Sequence, residues 1–376
     1  MQAITASVGD GGVNQASDVA LVQAILVKTV RPAAPGRPPA PYLAGYDGDC
    51  GKNTKAAIRT FQGDRVFVNA AGNASVPNPL STAGQVRPGD ATWAQLLAQV
   101  PPAFANLRVL PGGNVVYLEA TAQELQTKLM ALATLTFAPA FAVKVRNCIN
   151  RMHALHGIAL GVCPQGDRRT FQAQYALLTG GGNVTNAGPG ESNHNFGMAT
   201  DIGFGGLRCL HADGVVDVNE TPWLHHLTAQ NAAKALVFWE AMRTVGTSSA
   251  VGAFRGPLSD RPHLQNWSDA NVSMKARLAV HLQASGAMRW SLVGGTYRCD
   301  LGLGGAQVDV GTAAQIWNLS ATLTPATLSQ ARLAAATAQQ LPAPAAATAA
   351  DVTAMRALLR QQFDLADTNW QAWTPQ

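Results

Sequence analysis

The sequence predicts an α+β domain, a small antiparallel sheet with helices, preceded by a small three-helix module. Three observations lead there. Short helical patterns sit beside short alternating strands along much of the chain, which points to helices set apart from an antiparallel sheet. Neither a GxGxxG nor a P-loop occurs, which argues against a doubly wound sheet. The chain has 376 residues, 47% hydrophobic and 13% charged, enough for two or three domains of ordinary size. The expected divisions are residues 1–105, a connector over 106–120, the α+β domain over 121–298, and an Ala/Pro-rich extension over 299–376 that ends in a helix.

Within residues 1–105, Asp18 is expected to cap a helix through Leu26, with Val19, Val22 and Leu26 at helical spacing. RPAAPGRPPAP follows and cannot be helix. YLAGYDGDCG, from Tyr42 to Gly51, has turn chemistry. It leads into a second helix, Asn53 to Gln62, with Ala57, Ile58 and Phe61 on the inner side. A polar Gly/Asn/Pro-rich excursion spans Gly63 to Pro88, and Asp90 caps a third helix through Leu97.

Residues 106–118 read as a connector around Pro111 and Gly113. Helices are expected from Thr121 to Ala133, from Ala140 to His156, and from Thr170 to the glycines at 180–182. Ala199 to Gly203 reads as a short strand from whose face Asp201 projects. Trp223 to Val245 is expected to be a long helix, DRPHLQ (260–265) strand-like, and Asn271 to Ala287 helical. Ala, Thr, Gln and Pro dominate Thr312 to Ala350, with a linker at Leu341–Ala345. Asp351 to Phe363 is an amphipathic helix, and Trp370 and Trp373 close the chain. This tail either packs back on the preceding domain or binds a partner.

Two short stretches carry the chemistry. ESNHNFGMATDIGFGG (191–206) places His194 and Asp201 seven residues apart, and DRPH adds Asp260 and His263. A catalytic zinc site needs three protein ligands, one open position and a base that is not a ligand. His194, Asp201 and His263 supply the ligands for Zn2+, and Asp260 the base. A three-residue offset on a turn can bring Asp260 and His263 to one opening.

The ordered set SxHxxGxAxD plus DxPH resembles the zinc peptidases that include D-Ala-D-Ala carboxypeptidases of the VanY type and the L-Ala-D-Glu endopeptidases of phage endolysins. The resemblance covers roughly Thr121 to Trp290 and includes RTFQAQ (169–174), which is similar to the family's RSxxxQ helix start. It implies that Arg169 binds a substrate carboxylate, and that Gln174 and Ser192 orient the peptide or the tetrahedral intermediate. Asp167-Arg168 replaces the family's common Gly-Tyr, leaving open whether Arg168 or Arg169 faces the site. Carboxypeptidase members of this family commonly carry Glu at the base position, whereas endolysin-type members often carry Asp, so Asp260 favours the endopeptidase. Upstream, DVxxVQxxL (18–26), GYDGxCGxxTxxAIxxFQ (45–62) and TWxxLL (92–97) resemble a peptidoglycan-binding domain. Such a domain would touch glycan or stem peptide through helix ends and the loop from Tyr46 to Asn53.

Together these resemblances imply a bacteriolytic cell-wall hydrolase. It would be an endolysin-type zinc endopeptidase cutting the L-Ala-D-Glu bond of the peptidoglycan stem peptide. The alternatives are a D-Ala-D-Ala carboxypeptidase, an antibacterial effector injected into rival cells, and a non-catalytic wall-binding protein. MQAITASVGDGG has no basic or apolar signal region. Synthesis in the cytoplasm is expected, then release through a holin or delivery by a secretion system.

Other classes are disfavoured. The net charge of +5 comes with no Lys/Arg block; on charge alone an anionic wall polymer fits as well as nucleic acid, and nucleic acid is not expected. The longest apolar run, Leu129 to Val143, is broken by Pro139, so no membrane span is expected. A monomer is expected. Five cysteines, none in a CxxC pair, exclude a dense disulfide framework and disfavour a thiolate zinc site. His153 and His156 lack an acidic partner and read as core or surface histidines, and His225 and His226 are adjacent, so they point different ways on a helix and read as structural. HADGVVDVNE (211–220) fails the calcium-loop spacing, and no GxSxG supports a serine nucleophile.

Overall fold

Helices and small antiparallel sheets alternate along the chain, giving a mixed α+β fold. The computed structural model describes every residue except 1, 34, 35, 37, 65, 66, 69–73, 76–83, 112, 182, 183, 218–231, 258, 267–270, 287 and 374–376. Two compact units interleave in sequence. The first comprises Met1–Ala133, Arg146–Gly161 and Ile202–Val245, and the second Thr134–Val145, Val162–Asp201 and Gly246–Gln376.

The first unit is built round the helix Ala16–Lys28, buried continuously from Asp18 to Val27. A helix that is apolar on all sides belongs in the middle of a core. Gln15, not Asp18, is its N-cap residue. Asp18 lies one turn further in, where its carboxylate accepts the amides of Thr5, at 3.2 Å, and Ala6, at 2.8 Å. It therefore ties the N-terminal segment to the helix instead of capping it. The helices Lys52–Asp64 and Ala91–Gln99 complete the expected trio. Asp90 does cap the third, accepting the Trp93 amide at 2.7 Å.

The glutamines of the N-terminal motifs are buried braces. Gln23 accepts the Gly48 amide at 2.8 Å and donates to Asp49 O and Thr54 Oγ1, at 2.9 and 2.8 Å. It thereby shapes the turn before the second helix. Gln62 spans Gly84 N and Gln85 O in the same manner. Tyr46 and Phe61 are core residues, and the Tyr46 hydroxyl donates to Leu210 O.

Residues 106–118 form a hairpin rather than a connector. Leu107–Val109 pairs antiparallel with Val116–Leu118 around the Pro/Gly turn. These strands are two of a four-stranded sheet completed by Arg208–Leu210 and Val216–Asp217. The helix Ala122–Leu132 opens with a capping box between Thr121 and Glu124. Of the expected helix Trp223–Val245, Ala232–Gly246 is helical, while His225 and His226 lie outside the described residues.

The second unit packs the helix Asn271–Ser285 against a three-stranded meander and three C-terminal helices. The meander, Trp290–Val293, Thr296–Cys299 and Val308–Gly311, turns first at Gly294-Gly295. The Ala/Thr-rich run holds the helices Ala313–Asn318 and Pro325–Ala338, each with a threonine capping box. Ala349–Thr368 follows, capped by Thr348. Trp317, Leu328, Phe363, Trp370 and Trp373 share one core with Phe171, Phe196 and Met198. The tail thus packs back within this unit. None of the five cysteines is in a disulfide, and four of them are buried. Among the described residues, no helix is long and apolar enough to cross a membrane.

Candidate metal centre

The centre is assembled by strand register and one tight turn. His263–Gln265 pairs antiparallel with Ala199–Gly203, with His263 opposite Asp201. Cross-strand partners project from the same face of a sheet, so the pairing itself brings these two side chains together. His194 comes from the single 3-10 turn Asn193–Phe196. Ser192 Oγ accepts the His194 amide at 3.3 Å, and Asn195 Oδ1 accepts the Gly190 and Ser192 amides at 3.0 and 3.3 Å. Gly197, at φ +60°, ends the turn. A Cβ there would stand 2.8 Å from Ala138 N, so only glycine fits both the dihedral and the space.

His194 Nε2, His263 Nδ1 and Asp201 Oδ1 form a near-equilateral triangle. The two nitrogens are 3.2 Å apart, and they stand 3.4 and 3.2 Å from the oxygen. Ligand atoms held ~2.0–2.1 Å from a tetrahedral ion are separated by about 3.3–3.4 Å. The triangle has the dimensions of three corners of such a tetrahedron, and all three residues are buried.

The hydrogen bonds behind the triangle select the matching tautomers. His194 Nδ1 lies 3.0 Å from Asp167 O. A carbonyl can only accept, so the proton sits on Nδ1 and the Nε2 lone pair faces the centre. His263 Nε2 lies 3.2 Å from Gln265 Oε1, which leaves Nδ1 as the inward lone pair. Gln265 is itself held by Asn193 Nδ2 at 3.1 Å. Three lone-pair atoms converging at this distance suit a cation. A buried group of two imidazoles and one carboxylate can hold a metal ion, and three ligands leave a tetrahedral position open.

Charge follows the same arrangement. Burial would raise the Asp201 carboxyl, but the His194 and His263 imidazoles outweigh it and hold Asp201 far below the ordinary carboxylate range. Burial pushes His194 down. Burial opposes protonation of His263 too, but the Asp201 carboxylate beside its Nδ1 favours the charged form, outweighs burial and raises it.

The second oxygen of Asp201 accepts from Arg169 Nη2 at 3.0 Å. Arg169 also donates to Gln165 O at 3.1 Å and Gln174 Oε1 at 3.4 Å. Arg169 therefore faces the centre, and its guanidinium fixes which Asp201 oxygen points inward. Arg168 points the other way, donating to Asp367 Oδ1 at 2.6 Å. Gln174 is wholly buried and donates to Thr185 Oγ1 and Ala187 O, at 3.1 and 3.0 Å. It braces Arg169 and the loop before the His194 turn. Ser192 caps that turn.

Asp260 sits at the rim, half-exposed, with Oδ2 3.6 Å from His263 Nδ1. The reverse contact, His263 N to Asp260 O at 3.4 Å, closes a turn that brings both side chains to one opening. Burial raises the Asp260 carboxyl above its ordinary value, against the pull of His263. A basic carboxylate beside an open ligand position is suited to moving a proton.

Asp167 and Gln265 are the functional residues that pattern reading misses. Asp167 acts through its carbonyl, which leaves no trace in residue type. Gln265 had a signal: in a strand, i and i+2 share a face, so HLQ puts Gln265 beside His263. His153 is not part of the centre; its Nε2 lies 3.1 Å from Ala120 O.

No protein-family model matches the chain, and no curated protein sequence does either.

Proposed function

We propose that the protein is a zinc-dependent peptidoglycan peptidase of the endolysin type, cutting the L-Ala-D-Glu bond of the stem peptide. The observation that carries this reading is the buried triangle of His194, Asp201 and His263 with Asp260 at its rim. Two imidazoles and one carboxylate suit Zn2+. A bound Zn2+ would supply a Lewis acid for the scissile carbonyl and lower the pKa of its water to ~7.

The chain's own residues divide the remaining work. Asp260 Oδ2 takes the proton of the attacking water and returns it to the leaving amine nitrogen. Arg169 keeps Asp201 presenting one oxygen to the metal, and the face of its guanidinium left over is the anchor for a substrate carboxylate. The Ser192 cap and the Gln174 brace hold the His194 turn and Arg169 still, which keeps the reacting groups in register.

Support for the polymer comes from the N-terminal unit, where the motif glutamines Gln23 and Gln62 brace buried turns. These are the parts by which the sequence resembles a peptidoglycan-binding domain. The exposed end of the 47–53 turn is the surface proposed to meet the wall. Release through a holin or injection into a rival cell would deliver the enzyme to its substrate.

Digestion of purified peptidoglycan, read by mass spectrometry of the muropeptides, tests the proposal. New N-terminal D-Glu supports the endopeptidase. Loss of terminal D-Ala alone would replace it with a carboxypeptidase. An unchanged digest from metal-loaded protein would leave a wall-binding protein without catalysis.

A further inference from the structure

We infer that the C-terminal stretch Asp367–Trp373 is a positioning element of the His194/Asp201/His263 centre, holding both segments that build it. The inference rests on the metal reading above and extends it to residues far away in sequence.

The first segment is Arg168–Phe171. Arg168 and Arg169 are consecutive, and their side chains reach different partners. Arg169 reaches Asp201. Arg168 reaches the end of the last helix, donating to Asp367 Oδ1 at 2.6 Å and to Asp367 O at 2.8 Å. Asp367 Oδ2 also accepts the Phe171 amide at 3.3 Å. That amide lies in the first turn of the helix Phe171–Thr179, where it has no partner within the helix. One carboxylate therefore grips the chain on both sides of Arg169, fixing the rotation that aims Arg169 at Asp201. The pair is largely enclosed, with 14% and 15% of the side chains exposed. The Arg168 guanidinium also lies 4.9 Å from the Trp370 ring centroid, a cation–π contact.

The second segment is the His194 turn. Trp373 stacks on Phe196, with centroids 3.7 Å apart and planes 25° apart. Trp370 packs so close to Gly197 that a Cβ there would stand 3.0 Å from its ring. Both tryptophans are buried. The turn carrying one metal ligand is thus pinned from behind by the same seven residues that hold Arg169.

A purely structural tail and a positioning tail differ in what they do to the metal. Co2+ uptake, followed by visible absorption, and Zn2+ affinity by competition read the centre without any turnover. Asp367→Asn should weaken Zn2+ binding about tenfold, the lower range for partners behind metal ligands, and alter the Co2+ spectrum. Asp367→Glu should restore much of the loss. Asp351→Asn, on the same helix as Asp367, removes an ion pair with Arg332 of the preceding helix and should keep Zn2+ affinity within about twofold. Because Asp367→Asn leaves Arg168 enclosed without its partner, the double variant Arg168→Met/Asp367→Leu serves if the single one does not fold. It should show the same loss of affinity. Wild-type affinity and spectrum in a folded Asp367→Asn or double variant would overturn the inference. A wild-type chain that takes up no Co2+ would overturn the metal reading itself, and this inference with it.

Discussion

Asp201 divides its two carboxylate oxygens between opposite duties. Oδ1 stands 3.2 Å from His263 Nδ1, while Oδ2 accepts Arg169 Nη2 at 3.0 Å. The strand register that sets Asp201 opposite His263 supplies the first contact, and the Arg169 segment the second. A carboxylate oriented this way can offer one oxygen to a metal.

The ligand set predicts a stoichiometry. Wild-type protein should bind close to one Zn2+ per chain, and His263→Ala close to none, by elemental analysis after dialysis. Saturating metal should also stabilise the wild type, by about 2.7 kcal/mol at a hundredfold excess over Kd. His263→Ala should show no such gain in thermal unfolding. Equal metal content in the two proteins would remove His263 from the ligand set.

Asp260 separates binding from turnover. Its carboxylate lies at the rim, 3.6 Å from His263 Nδ1, beside the triangle and not one of its corners. On the proposed peptidase reading, Asp260→Ala should therefore keep metal binding while the proposed peptidoglycan hydrolysis falls about 10²–10⁴-fold, the usual weight of a general base. Full activity in that variant would sink the base assignment.

The buried His194, Asp201 and His263 group that could hold a metal is legible in the sequence because metal chemistry constrains residue type and order, and SxHxxGxAxD with DRPH carries both. The helices of the N-terminal motifs are legible because their apolar spacing is local. What escapes is what depends on distant partners. Asp18 has the residue type of a cap, but the amides of Thr5 and Ala6 claim its carboxylate. The hairpin at 107–118 has only three residues per strand, too few for alternation to stand out. The Ala/Thr-rich helices after 312 carry little hydrophobic contrast, since alanines such as Ala331 and Ala335 face the core. Nothing local in Arg168 says that its partner lies at Asp367.

Gln265 tests the role of tautomer selection. Its Oε1 accepts from His263 Nε2 at 3.2 Å and so keeps the Nδ1 lone pair inward. Gln265→Leu fills similar space but removes the acceptor and leaves a buried N–H unpaired. Zn2+ affinity should fall 10- to 100-fold, in the range of about 10–100 known for such supporting partners. Competition with a chromophoric chelator would measure it. Unchanged affinity would show that His263 finds its tautomer without Gln265.

Asp300 makes the acid limb of stability predictable. Its buried carboxylate accepts Arg289 N and Nε, both at 2.9 Å, and Gly302 N at 3.1 Å. Burial alone would raise its pKa, but these donors prevail and hold it below the ordinary value. A folded pKa lower than the unfolded value, near 3.9, means the unfolded chain binds the proton more readily. The stabilisation is then fully present above about pH 4 and is lost as pH falls through the lower, folded value. Asp300→Asn should cost about 1.5–3 kcal/mol at pH 7, the range for hydrogen bonds to a charged group. Urea midpoints of the two proteins should then converge as the pH falls through the folded value, where the wild-type carboxyl also takes up its proton. A gap between them that stays constant from pH 7 to pH 2 would show that the contribution is steric and not ionic.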